Sequence, residues 1–109
     1  MWIFTDTGFV SAVADTTNDD QLIVRSRDRT SLQPLAELTG AEISTGTGTD
    51  YRHRLRCSRA EFTTWLTNSI NNLNYPNFKS QVAQTRGSEF AHPLMTVWSA
   101  MRQVEDDLR

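Results

Sequence analysis

At Ser58 the period of the sequence changes from two to nearly four, and no other feature restricts the fold as much. From Asp50 to Cys57 the residues alternate, with Tyr51, His53, Leu55 and Cys57 on one side and Arg52, Arg54 and Arg56 on the other. This is the pattern of a half-buried strand. The next four residues, Ser58-Arg59-Ala60-Glu61, match the S-x-x-E capping box. In that motif the serine and glutamate side chains satisfy each other's free backbone amides. The helix it opens carries Phe62, Trp65, Leu66, Ile70 and Leu73 at helical spacing, one apolar stripe for the core. A strand that runs directly into an amphipathic helix calls for a sheet with helices folded against it.

The remaining segments fit that frame. Trp2–Thr5 and Phe9–Val13 read as strands around the turn cluster Asp6-Thr7-Gly8, and a polar loop follows from Asp15 to Asp20. Gln21–Arg27 alternates, with Ile23, Arg25 and Arg27 sharing a side. A short helix fits Ser31–Leu38, where Pro34 is tolerable only in the first turn and Gly40 is a natural stop. Ala41–Ser44 then pairs with the Asp50–Cys57 strand across the loop Thr45-Gly46-Thr47-Gly48-Thr49. Pro76 biases Tyr75 out of the helical region, Asn77 caps a helix holding Phe78 and Val82, and that helix ends near Gly87. Pro93 fits the first turn of a last helix, whose apolar stripe is Leu94, Val97, Trp98, Met101, Val104 and Leu108. The expected fold is a single α+β domain over residues 1–109. In it an antiparallel sheet of about five strands, mostly from the N-terminal half, packs on C-terminal helices.

Composition narrows the function classes. With 109 residues, 38% hydrophobic and 22% charged, the chain has enough apolar content for one core. A single cysteine, Cys57, excludes an internal disulfide framework and a cysteine-rich metal site. Met1–Asp6 has neither the basic residues nor the apolar stretch of a secretion signal, and no apolar run approaches the roughly 20 residues of a membrane span. A cytoplasmic protein is expected. The net charge of −2 conceals a gradient: residues 1–20 carry Asp6, Asp15, Asp19 and Asp20 and no base, whereas residues 21–60 hold seven arginines. Lys79 is the only lysine, and arginine's planar fork suits bidentate pairing with phosphate or carboxylate.

Met1-Trp2-Ile3-Phe4-Thr5, Gly8-Phe9, Val24-Arg25-Ser26-Arg27, Tyr75-Pro76-Asn77-Phe78-Lys79 and Val97-Trp98 occur in this order along the chain. Together they resemble a group of small uncharacterised phage and bacterial proteins that open with an MWIF-type strand and carry a Y-x-N-F-K segment before a Trp-containing helix. The resemblance runs from residue 1 to about residue 104. It implies this organisation and a phage context, and brings no chemistry with it.

The arginine rows are the candidate site. If strands 21–27 and 50–57 share a sheet and a facing, Arg25 and Arg27 join Arg52, Arg54 and Arg56, and like charges side by side need an anion or intervening carboxylates. The functional reading is a phosphate site. The competing one is a solvated outer face whose arginines discourage strand-to-strand aggregation, partly neutralised by Asp28, Glu37 and Asp50. Tyr75-Pro76-Asn77-Phe78-Lys79 offers a stacking ring, an amide and a point charge, or else simply a helix corner in which Pro76 turns, Asn77 caps and Phe78 fills the core. Trp2, Trp65 and Trp98 fall on apolar phases and read as core, unless one lies at a sheet edge and builds a subunit interface.

Catalytic candidates are poor. Cys57 shares a phase with Leu55, which suits a buried thiol better than a nucleophile. His53 and His92 have no partner at metal-ligand spacing, and His92 reads as the residue leading into the Pro93 helix. The threonine–glycine loop lacks the lysine of a phosphate loop, and the Asp19-Asp20 and Asp106-Asp107 pairs lack enclosure. The resulting expectation is a non-enzymatic, phage-type binding protein without a cofactor. It sequesters a phosphate-bearing small molecule, a nucleotide signal of host defence, through Arg25, Arg27 and Arg54, with Tyr51 or Tyr75 stacking and Asn77 and Lys79 nearby. The alternative is an inhibitor that acts by contact with a host protein or nucleic-acid complex. Nucleic acid itself is a third partner, against which the acidic first twenty residues weigh. A homo-oligomer is expected, because a second copy adds buried surface and can complete a pocket.

Overall fold

The first seventy residues build a five-stranded antiparallel sheet: β1 (Trp2–Thr5), β2 (Gly8–Ala14), β3 (Gln21–Ser26), β4 (Ser44–Thr45) and β5 (His53–Ser58), in the spatial order β1-β2-β3-β5-β4. The computed structural model describes residues 1–46 and 50–106. Residues 47–49 of the predicted loop, Asp107 of the acidic pair and Leu108 of the last apolar stripe lie outside the described residues. By internal contacts the chain divides into two compact units, Met1–Asn74 and Tyr75–Arg109.

In the first unit the two arginine strands, whose adjacency the sequence leaves open, lie side by side and antiparallel, from Gln21 opposite Ser58 to Ser26 opposite His53. The alternation puts Val10, Ala12, Val24, Leu55 and Cys57 on one face, where they meet Leu32, Leu35, Phe62 and Trp65 in a single buried cluster. Leu32 closes a 3-10 turn (Thr30–Leu32), Leu35 lies in α1 (Gln33–Thr39), and Phe62 and Trp65 lie in α2 (Arg59–Asn71). The fold is therefore α+β, with α1 and α2 on one face of the sheet. Both capping-box bonds form: Glu61 N donates to Ser58 Oγ at 3.0 Å, and Ser58 N donates to Glu61 Oε1 at 2.8 Å. Gly40 ends α1 with φ at 73°, a left-handed conformation that suits a residue without Cβ.

β2 runs from Gly8 to Ala14, a residue longer at each end than expected, β3 ends at Ser26 and leaves Arg27 just beyond it, and two boundaries differ more. After Gly40 the chain stays tied to α1, since Thr39 Oγ1 accepts from Ala41 N at 3.1 Å, and Ala41 and Ile43 pack against the core instead of pairing. Strand β4 is thereby cut to Ser44–Thr45, and β5 opens at His53 rather than at Asp50. The α2 stripe is also shorter. Phe62 and Trp65 are buried with Leu66 against them, but Ile70 is 60% exposed, and Leu73, beyond the helix end, is 55% exposed.

The second unit pairs α3 (Phe78–Arg86) with α4 (Ser88–Met101), followed by a 3-10 turn at Arg102–Val104. Asn77 caps α3 as expected, its side chain accepting from Ser80 N at 2.9 Å. The last helix does not start at Pro93. Gly87, with φ at 94°, ends one helix and begins the other, and Ala91 N already donates to Gly87 O at 3.1 Å. Pro93 therefore lies inside α4 and lacks the N–H that would have met the carbonyl of Glu89, while His92 is an exposed helical residue. Of the expected stripe Leu94 is buried, whereas Val97, Trp98, Met101 and Val104 are exposed. Among the tryptophans only Trp65 is core: Trp98 is 59% exposed, and Trp2, on the edge strand β1, is 70% exposed. No helix among the described residues is long and apolar enough to cross a membrane.

Candidate functional site

The sheet face opposite the core carries the arginines. One cross-strand row runs Trp2–Ser11–Arg25–Arg54–Ser44, because Trp2 pairs with Ser11, Ser11 with Arg25, Arg25 with Arg54, and Arg54 with Ser44. Arg25 and Arg54 thus stand directly opposite each other on neighbouring strands. In the next row Ile23 lies opposite Arg56.

The two rows differ in charge balance. Arg56 forms an ion pair with Asp15, a carboxylate only 5% exposed. The side chain and the backbone amide of Thr17 donate to Asp15 Oδ1 at 2.7 and 2.9 Å, and with the help of Arg56 they hold this carboxyl below its ordinary value of 3.8. No described carboxylate pairs with Arg25, Arg27 or Arg54.

The first two are held by neutral groups instead. Arg25 donates to Ser11 Oγ at 2.8 Å, and Arg27 donates to the Asp50 carbonyl at 2.7 Å. Both guanidiniums lie over the Tyr51 ring, 4.6 and 4.8 Å from its centroid. Cation–π attraction aligns the two charges without neutralising either. The Arg25 Nε is buried and has no hydrogen-bond partner, so the guanidinium is not fully satisfied in this arrangement.

Tyr51 departs from its expected place. It precedes β5, so the alternation does not reach it, and its ring lies under the arginines instead of beside His53, Leu55 and Cys57. At 5% exposure it has no open face for a base and serves to position the arginines. Beside Arg54 the face dips into a pocket of ≈ 280 Å³, lined among others by Ile23, Glu42, Ser44, Arg54 and Arg56.

Tyr75, Asn77 and Lys79 belong to the second unit. There the Tyr75 ring centroid is 6.3 Å from that of Phe78, Asn77 is occupied as the α3 cap, and the Lys79 ammonium lies 5.1 Å from the Trp98 ring centroid. The structure therefore gathers Arg25, Arg27, Tyr51 and Arg54 on one face, and places the other three in a helix-capping segment. Sequence reasoning missed Ser11, Asp15 and the Glu42–Ser44 edge as neighbours of the arginines. Only strand register could have revealed them. Cys57 is buried, as expected, and its thiol is pushed up to about 11, first by desolvation and then by the charge of Glu61. No family model matches the chain, and no curated protein or solved structure does either.

Proposed function

We propose that the protein binds, without catalysis, a phosphate-bearing small molecule of the nucleotide class on the arginine face of its sheet. Sequestration of a nucleotide signal of host defence by a phage-type protein fits that chemistry. One observation carries the reading: Arg25 and Arg54 are opposed in register and neither pairs with a described carboxylate, while Arg56, one row away, pairs with Asp15. Directly opposed like charges destabilise a strand pair. Arginines on neighbouring strands can offer more than one fork to the several oxygens of phosphate groups.

Native mass spectrometry of the protein with a pooled panel of linear and cyclic nucleotides tests this. Retention of one nucleotide per site, lost in Arg25→Glu and Arg54→Glu proteins that still fold, supports it; a bare protein across the whole panel overturns it. A second reading is contact with a host protein, favoured by the exposed Met95, Val97, Trp98, Met101 and Val104 of the second unit. The same residues support self-association. The mass spectrum reads the assembly state directly, and capture from host lysate follows if no nucleotide is held.

A further inference from the structure

We infer that the ligand of the arginine face is a short single-stranded oligonucleotide, linear or cyclic, with a base stacked on Trp2 and its phosphates divided between Arg25 and Arg54. The inference rests on the nucleotide reading above and names the ligand more closely. It starts from a mismatch. Phosphate binding accounts for the arginines but not for Trp2, which belongs to the same row and exposes 70% of its surface. Tyr51 cannot stack a base, since its ring is buried under two guanidiniums. The aromatic groups that remain on this face are at its other end. Trp2 meets Phe9 edge-on, with centroids 5.9 Å apart at 87°, and Phe9 stacks on Phe4 at 4.5 Å. The phenylalanine pair thus supports the indole from one side and leaves it open to an incoming ring.

The spacing selects the length of the ligand. Strands lie about 4.8 Å apart, so the row from Trp2 to Arg54 spans roughly 14 Å. Arg25 stands partway along and reaches over Ser11, at 2.8 Å, on the strand next to Trp2. A base on Trp2 therefore brings its own phosphate to Arg25. A second phosphate is needed to engage Arg54, beyond which the ≈ 280 Å³ pocket offers room for the following sugar or base. A long polymer suits the face less well, because Glu42 lines that pocket and the first twenty residues carry four acids and no base.

Tryptophan fluorescence tests this in a Trp98→Phe background, where Trp2 is the exposed fluorophore and Trp65 is buried. The probes are a mixed-sequence pentanucleotide, the mononucleotides and inorganic tripolyphosphate. The pentanucleotide should quench the emission and bind at least tenfold more tightly than any mononucleotide. Read by calorimetry, since these variants lose the fluorophore, Trp2→Ala should weaken pentanucleotide binding about 5- to 150-fold, the usual worth of one base–aromatic stack, and leave tripolyphosphate binding unchanged. Trp2→Phe should recover part of the loss, and it serves as the variant if Trp2→Ala does not fold. Equal affinity for mononucleotide and pentanucleotide, or indifference to Trp2, overturns the oligonucleotide inference with the nucleotide reading intact. If neither nucleotide form binds while the protein is folded, both fall.

Discussion

The two faces of the sheet are made by the same strands and obey opposite rules. On the core face the clustered positions Val10, Ala12, Val24, Leu55 and Cys57 are apolar and none is bulky, and the helices α1 and α2 cover them until Val24, Leu32 and Leu35 have no exposed surface. On the other face Arg25 opposes Arg54, Trp2 is exposed, and a buried guanidinium nitrogen lacks a partner. The first face is settled by packing alone. The second is stabilised only in part, as a face proposed to bind a ligand would be.

The largest effects belong to the core face. Leu35→Ala should lower unfolding free energy by about 2–5 kcal/mol in a urea titration, with the ligand affinity of the folded fraction unchanged. Charge reversal on the other face should do the reverse. Arg54→Glu should cost at least tenfold in nucleotide affinity by calorimetry, about 1.4 kcal/mol. Ser58→Ala affects the junction where strand becomes helix and should cost about 0.5–2 kcal/mol of stability, with no change in binding. Smaller, and more telling, is the stability of Arg54→Glu itself. An opposite charge facing Arg25 should raise the unfolding free energy by roughly 0.2–1 kcal/mol, so that one substitution removes binding and stabilises the fold. If Arg54→Glu destabilises instead, the two faces are not in contrast and the arginines are structural.

The balanced row gives a pH test. Because Asp15 titrates below 3.8 in the folded protein, the unfolded chain takes up its proton first as pH falls. The stabilisation is therefore complete above that value and disappears as pH drops through the lowered folded one. The advantage of the wild type over Asp15→Asn, read as a urea midpoint at successive pH values, should vanish on the acid side. A difference that persists unchanged at pH 2 would sink this assignment.

Much of the fold was legible because period and punctuation agree: alternation through Gln21–Ser26 and His53–Ser58, the Ser58–Glu61 box, and Gly40 as a stop. The helix phases were less secure. Pro93 looks like a first-turn residue by its chemistry, yet Gly87, which can break the chain anywhere, had already started the helix five residues earlier. For the site, the period of two predicts which arginines share a side, but it cannot say which strands are neighbours. Adjacency of Arg25 and Arg54 depends on a chain path that leaves β3, makes α1, and returns through β4 to place β5 beside β3. Tyr51 was misplaced for a related reason: a phase holds only as far as the hydrogen-bonded strand, and β5 stops at His53.

Gly87 has a consequence for how this chain could associate. Its φ of 94° is open to a residue without Cβ, and a Cβ placed there would meet nothing within 4 Å, so the only obstacle to a side chain is the backbone itself. A residue that prefers the right-handed region would let Phe78–Arg86 run on into Ser88–Met101 as one rod of about 36 Å, given a rise of roughly 1.5 Å per residue. The contacts that α3 makes with α4 would then be offered to a second copy, which is the exchange that domain swapping uses. That the helical pair folds back within one chain thus depends on a backbone conformation that a residue without a methyl group adopts most readily.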